Sequence, residues 1–188
     1  MKPEELFATL PPLETKRLVL RTLAATDAEA IFRIFSDAEV TRFYAWETFT
    51  HIEQAQQLLA RTAELYQRQE AIRWGLILKG EQGVIGTCGY TRWNRENNWG
   101  MIGYDLERRY WGQGLMSETI RQVIRFGFKE MDLHRIEATV IAGNRASMNV
   151  LSKAGFREEG VMRERSYHQQ QFQDVHLFAL LRQEFSHA

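Results

Sequence analysis

A mixed α/β sheet with helices packed on its faces is the architecture this sequence predicts, and three observations predict it. Short runs of alternating apolar and polar residues are interleaved with longer stretches in which apolar residues recur every three or four positions, the periods of strand and helix. Three strand runs follow one another with only turn residues between them, which makes an antiparallel meander. A long helical stretch then leads to a further strand, the arrangement of a parallel crossover.

Taken in order, Lys16 to Leu23 (KRLVLRTL) alternates and reads as a first strand. Thr26 to Glu29 has capping-box spacing ahead of Ile31, Ile34, Phe35 and Ala38, so a short helix is expected there. Phe43 to Thr50 is aromatic and reads as a loop or a short turn of helix. From His51 to Gln69, Ile52, Ala55, Leu59, Thr62 and Tyr66 share one face of an amphipathic helix. The meander follows as Trp74 to Lys79, Val84 to Trp93 and Trp99 to Leu106, with turns at Gly80 to Gly83 and Asn94 to Asn98. Ile102, Tyr104 and Leu106 fall on one face of its last strand, and Met101, Gly103 and Asp105 on the other. Gly112 and Gly114 open a long helix with Met116, Ile120, Val123, Ile124, Gly127 and Met131 as its buried stripe. Arg135 to Ile141 is the next strand. Asn144 to Ala154 is a shorter helix ending at Gly155, a natural residue for a left-handed helix end. Arg157 to Tyr167 and Phe172 to Leu181 close the chain as a hairpin. The expected order is β-α-α-β-β-β-α-β-α-β-β, one domain over residues 1–188.

Composition narrows the function. Of 188 residues, 44% are hydrophobic, enough for a substantial core. Lys+Arg and Asp+Glu both number 24, so no broad basic face for nucleic acid or an anionic membrane is expected. The one cysteine, Cys88, rules out an internal disulfide and fits a reducing compartment. The N-terminus lacks the apolar core of a signal peptide, and no run approaches about 18 apolar residues, so a cytoplasmic protein is expected. The five histidines have no metal-ligand spacing, and no metal is expected.

The chemistry concentrates in Leu106 to Ser117 (LERRYWGQGLMS), where a strand runs through a short glycine-containing loop into a helix. A helix start offers unpaired N–H groups and partial positive charge, and glycine admits an anion close to the backbone. The stretch suits a pyrophosphate; a tight turn and close helix packing would use the same glycines. A P-loop is absent, and a dinucleotide fingerprint lacks the acidic residue that should end the next strand, which here finishes Val140-Ile141-Ala142.

Arg109-Tyr-Trp-Gly112-Gln-Gly114 matches the Arg/Gln-x-x-Gly-x-Gly/Ala motif of the GCN5-related N-acetyltransferases. The sequence resembles that superfamily further in Ile102-Gly-Tyr-Asp-Leu106, in Asn144-Arg-Ala-Ser147, and in Leu151-Ser-Lys-Ala-Gly-Phe156 with Glu159-Gly160. Within it, the resemblance is strongest to the ribosomal-protein N-terminal alanine/serine acetyltransferases, and it runs from about Arg17 to Leu181. It implies acetyl-CoA as co-substrate, with pantetheine in a gap where the fourth and fifth strands splay apart. The backbone of Tyr104, Asp105 and Leu106 would hold pantetheine. Trp111, Gly112, Gln113, Gly114, Leu115, Met116 and Ser117 would wrap the pyrophosphate. Asn144 would bond the pantetheine arm, and Lys153 would reach the nucleotide phosphates. Each also has a plain structural reading: Asn144 as a helix cap, Lys153 as a solvated lysine, Asp105 as a strand end.

The resemblance also frames the catalytic candidates. Many members protonate the leaving thiolate with a helix tyrosine; Leu151 stands at that position, which leaves Ser147, one turn earlier, as the candidate donor or merely a second cap. The glutamate of one ribosomal-type relative corresponds to Ser166, so its role as base does not transfer. Glu47, in the aromatic segment, is the candidate base, with Glu164 as the other. The acceptor wall is expected from Phe43 to Thr50 and from Tyr167, His168 and Gln169 to Gln171. Transfer to a protein N-terminal α-amine, of the ribosomal-protein type, is the leading reading. Transfer to a polyamine, amino acid or antibiotic, and acetyl-CoA sensing without turnover, stand as alternatives. A homodimer paired through the last hairpin is a further expectation.

Overall fold

In the computed structural model the described residues are 3–44, 46–168 and 170–185. Gln169 of the expected acceptor wall and Ala45 of the aromatic segment lie outside them. The chain opens with α1 (Pro3–Ala8), β1 (Leu13–Glu14) and β2 (Leu18–Thr22), followed by α2 (Ala28–Phe35), α3 (Ala38–Thr41) and α4 (Ile52–Gln67). The meander is β3 (Ile72–Leu78), β4 (Gly86–Asn94) and β5 (Trp99–Leu106). Then come α5 (Leu115–Lys129), β6 (Arg135–Ile141), α6 (Arg145–Lys153), β7 (Arg157–His168), β8 (Gln171–Leu181) and α7 (Arg182–Phe185). The expected mixed sheet is present, with α1, β1, α3 and α7 added as short elements of two to six residues.

Among the described residues the strands form one eight-stranded sheet in the order β1-β2-β3-β4-β5-β6-β8-β7. Every neighbouring pair is antiparallel except β5 and β6, which run parallel because α5 carries the chain across between them.

Strand alternation sorts the core onto the two faces. On β3, Ile72, Trp74 and Leu76 point to the α5 side, while Ile77 joins the α2–α4 side. The stripe of α5, including Ile120, Val123, Ile124 and Gly127, is buried on the first face. Ile31, Ile34 and Phe35 of α2 pack with Leu59 of α4 on the second. Each large apolar side chain taken fully out of water this way stabilises the fold by about 1.5–3 kcal/mol. The buried polar tips find partners: Trp74 Nε1 donates to the Pro11 carbonyl at 3.0 Å, and Tyr90 Oη to the Val123 carbonyl at 3.0 Å.

The capping box expected at Thr26 and Glu29 does not form. A 3₁₀ turn occupies Ala25–Asp27, and the Asp27 carboxylate accepts the Ala24 N–H at 2.8 Å while Arg21 holds it at 2.7 Å. That ion pair fixes Asp27 at the helix entrance, so α2 begins at Ala28.

The site-forming feature is the short pairing of β5 with β6. Only Trp99 with Arg135, Gly100 with Ile136 and Met101 with Glu137 are in register. Beyond Met101 the two strands separate, although β5 runs on to Leu106 and β6 to Ile141. β4 bulges at the same level, where the register shifts between Tyr90 and Arg92, and such a bulge bends and twists its strand.

Candidate active site

The fork between β5 and β6 opens into a cleft of about 720 Å³ lined from both faces of the sheet. Tyr104 of β5 and Asn144, Ser147 and Leu151 of α6 line it on the α5–α6 side. On the other side it is lined by Phe43, Tyr44 and Trp46 after α3, Arg73 of β3, Arg92 of β4, Glu137 of β6 and Met162, Arg165 and Ser166 of β7. A gap lined from both faces is the geometry for two substrates that approach from opposite sides.

At the end of β5 the loop to α5 is shaped for an anion. Gly112 and Gly114 have φ of 73° and 76°, the left-handed region that side chains resist. Gly114 precedes α5 without capping it by a side chain, and the first in-helix bond is from Glu118 N–H to the Gly114 carbonyl at 3.1 Å. The N–H groups of Leu115, Met116 and Ser117 therefore have no acceptor inside the helix and carry its positive end. Arg17 holds the loop in place, donating to the Gln113 carbonyl at 2.9 Å and pairing with Glu118 at 2.9 Å. Trp111 is 43% exposed, and its Nε1 donates to the Leu106 carbonyl at 2.7 Å. Open N–H groups above an open gap fit a pyrophosphate followed by an extended arm. Lys153 sits exposed at the end of α6, where its carbonyl accepts from Arg121 of α5 at 3.5 Å.

Inside the gap, Ser147 and Tyr104 meet. Their hydroxyl oxygens are 2.7 Å apart. Asn144 Oδ1 accepts the Ser147 N–H at 3.1 Å, so Asn144 caps α6 while its NH₂ stays available to a ligand. The Ser147 hydroxyl is committed to Tyr104 and is not a second cap. Leu151 is fully buried in the core. A phenol thus reaches α6 from β5, at a helix whose own expected tyrosine position holds Leu151. Burial pushes the Tyr104 phenol well above its ordinary range, which keeps it protonated and able to donate.

Asp105 points away from Tyr104, as alternation requires. Its carboxylate accepts Arg73 at 2.5 Å, the Thr87 hydroxyl at 2.6 Å and the Thr87 N–H at 3.0 Å. The side chain therefore anchors β3, β4 and β5 beside the cleft, leaving only its backbone for a cofactor. Tyr44 crosses from the α3 loop and donates to the Tyr104 carbonyl at 3.2 Å.

The fold sets Tyr104 and Asn144 in the cleft lining and Trp111 to Ser117 on the loop and helix start after β5, with Lys153 exposed at the far end of α6, but it does not bring in the two carboxylates. Glu47 is exposed and outside the cleft lining, although its neighbour Trp46 is part of it. Glu164 is exposed on a bulge of β7, at φ 51°. The carboxylate lining the cleft is Glu137, at the apex of the fork, held by Arg135 at 2.7 Å. The sequence carried a signal for it: in RIEATVI the polar face is Arg135, Glu137 and Thr139. Arg73, half-buried beside Asp105, was not visible as a site residue. Among the described residues no group of three or more His, Cys, Asp or Glu is placed to hold a metal, and no helix is long and apolar enough to cross a membrane.

Residues 17–157 match the family model described as an acetyltransferase (GNAT) domain. The chain is 39% identical over 172 residues to YoaA, an uncharacterized N-acetyltransferase of Bacillus subtilis, covering 92% of this chain and 97% of that protein. It is 28% identical over 175 residues to the ribosomal protein uS5-alanine N-acetyltransferase of Escherichia coli, with 89% of each covered. A GNAT-family acetyltransferase from Bacillus anthracis has a solved structure that superposes with a TM-score of 0.83 at 28% identity, covering 93% of this chain and 100% of that one.

Proposed function

The chain belongs to the acetyltransferase (GNAT) family, whose members use acetyl-CoA, and on that premise we propose that this N-acetyltransferase acts on the N-terminal α-amine of a protein. One observation carries the choice of acceptor. The cleft is lined from both faces of the sheet and is walled by five separate segments on the acceptor side, which suits a peptide end more than a small enclosed amine. The Escherichia coli relative, named for an alanine of ribosomal protein uS5, supports a protein acceptor. Residues 1–188 act as one catalytic domain in this reading.

Acetyl-CoA supplies the activated thioester. The N–H groups from Gly112 to Ser117 receive its pyrophosphate beside Trp111, whose own N–H is held by the Arg108 carbonyl, and the backbone of β5 at Tyr104, Asp105 and Leu106 receives the pantetheine, with Asn144 alongside. Lys153 takes the nucleotide phosphates. The amine arrives from the Trp46 side as an ammonium and must lose a proton before its nitrogen can form a bond to the acetyl carbon. Glu137, at the fork, accepts that proton directly or through water, and Arg135 fixes its orientation; Glu47 is the competing base. Negative charge developing on the carbonyl oxygen is met by a β5 N–H. As the carbon–sulfur bond breaks, Ser147 gives its proton to the thiolate and is reprotonated by Tyr104. Protons balance: on going from ammonium to amide N–H the nitrogen loses two, the first before attack and the second from the tetrahedral intermediate, and both leave by way of Glu137 to solvent. The thiol takes up one through Ser147 and Tyr104, whose phenol is restored from solvent, so one proton is released per turnover.

Free thiol release from acetyl-CoA, followed against Ala- and Ser-initiated peptides, polyamines and free amino acids, tests the reading. Release driven by the peptides, and reduced by Glu137→Gln more than by Glu47→Gln, is the expected result. Release driven only by a small amine would overturn the choice of acceptor.

A further inference from the structure

Over the whole chain positive and negative charges cancel, yet the acceptor side of the cleft does not share that balance. Three arginines line it, Arg73, Arg92 and Arg165, against one carboxylate, Glu137. Arg73 is neutralised by Asp105 at 2.5 Å. Glu137 is paired with Arg135, which Glu159 also holds. Arg92 and Arg165 are both exposed and have no ion-pair partner among the described residues. Two uncompensated guanidinium groups therefore border a cleft whose fork carries a carboxylate able to receive an ammonium.

The placement of the two cations says more than their sign. Arg92 lies on β4 and Arg165 on β7, four strand positions apart in the order β4-β5-β6-β8-β7. At about 4.8 Å per strand that is roughly 19 Å, more where β5 and β6 splay. A free amino acid is too small to meet both. Glu137 on β6 lies midway, two strand positions or roughly 10 Å from each, which an extended peptide rising about 3.3 Å per residue covers in about three residues. We infer that the acceptor is a peptide whose N-terminal segment is acidic, its α-amine at Glu137 and the carboxylates of its first few residues toward Arg92 or Arg165. The inference rests on the acetyl-transfer reading and specifies its substrate class.

Peptides with one common N-terminal residue and acidic, neutral or basic side chains at the next five positions test this. Two readouts are taken: kcat/KM by thiol release, and binding of the labelled peptides to the protein loaded with coenzyme A. An exposed charge pair shifts an equilibrium up to about fivefold, so acidic peptides should be favoured over basic ones by about tenfold or more. The preference should shrink as salt is raised from about 0.05 to 0.5 M, since exposed charges are screened over that range. In the Arg92→Gln/Arg165→Gln double variant it should fall to within about twofold. Equal use of acidic and basic peptides, or a preference that survives the double substitution, would overturn the inference while leaving acetyl transfer standing. Selective binding of acidic peptides without turnover of any would overturn acetyl transfer and leave the charge selection standing. Free glutamate used as well as the acidic peptides would overturn the peptide class.

Discussion

Tyr104 and Ser147 share a hydrogen bond of 2.7 Å, so substitutions at the two should not act independently. Ser147→Ala removes the group placed to protonate the thiolate and should lower kcat about 10²-fold with KM little changed. Tyr104→Phe should lower kcat by less, and the double variant should be no slower than Ser147→Ala, because the phenol acts through the serine. Steady-state kinetics check this; additive losses would separate the two residues. Cys88 gives a second prediction at this scale. Burial pushes its thiol up to about 12, so at pH 8 about one in ten thousand molecules carries the thiolate. Ellman's reagent should find no protein thiol in the native state and one after denaturation. Some of this was legible from residues alone: the alternation of Ile102 to Leu106 put Tyr104 and Asp105 on opposite faces. The pairing of Asp105 with Arg73 was not, because the two are 32 positions apart in sequence and only the folded sheet makes them neighbours.

At the scale of elements, α5 shows a glycine kept against helix propensity. Gly127 lies mid-helix, where alanine would ordinarily gain about 1 kcal/mol. A Cβ there would fall on the Tyr90 hydroxyl and within 2.7 Å of its Cζ. Gly127→Ala should therefore destabilise the protein by about 2 kcal/mol, the scale of core overpacking. In the Tyr90→Phe background the cost should shrink without vanishing, since the ring carbon remains. Urea unfolding of the four proteins in that cycle measures it, and a stabilising Gly127→Ala would contradict it. The stripe of α5 was readable because fifteen residues give the helical period four turns to show itself. The short α1, α3 and α7 hold four to six residues each, too few for any period to register. The start of α2 was misplaced for a different reason: Arg21, six residues upstream, captures Asp27.

For the whole molecule, burial raises the phenols of Tyr44, Tyr90 and Tyr104 and the thiol of Cys88. These groups hold their protons more tightly folded than unfolded. Their contribution to stability is complete below the ordinary thiol and phenol ranges, about pH 8.5 and 10, and is lost as pH rises through them. Melting temperature should thus decline steadily from about pH 9 to 11, and a flat profile over that range would count against the buried placements. The meander, the parallel crossover and the closing hairpin followed from periodicity and connection length, whereas the place of β8 between β6 and β7 did not. The splay of β5 from β6 did not, because both strands keep their alternation past the point where they part; it was implied by the family resemblance. That splay and the glycine loop beside it are the centre of the account, and calorimetric titration with acetyl-CoA tests them most directly. Saturable binding of one acetyl-CoA per chain is expected, weakened about tenfold in Gly112→Ala, where a side chain opposes the left-handed backbone the loop requires. No binding to the intact protein, or binding unaffected by changes at Gly112 and Gly114, would contradict it.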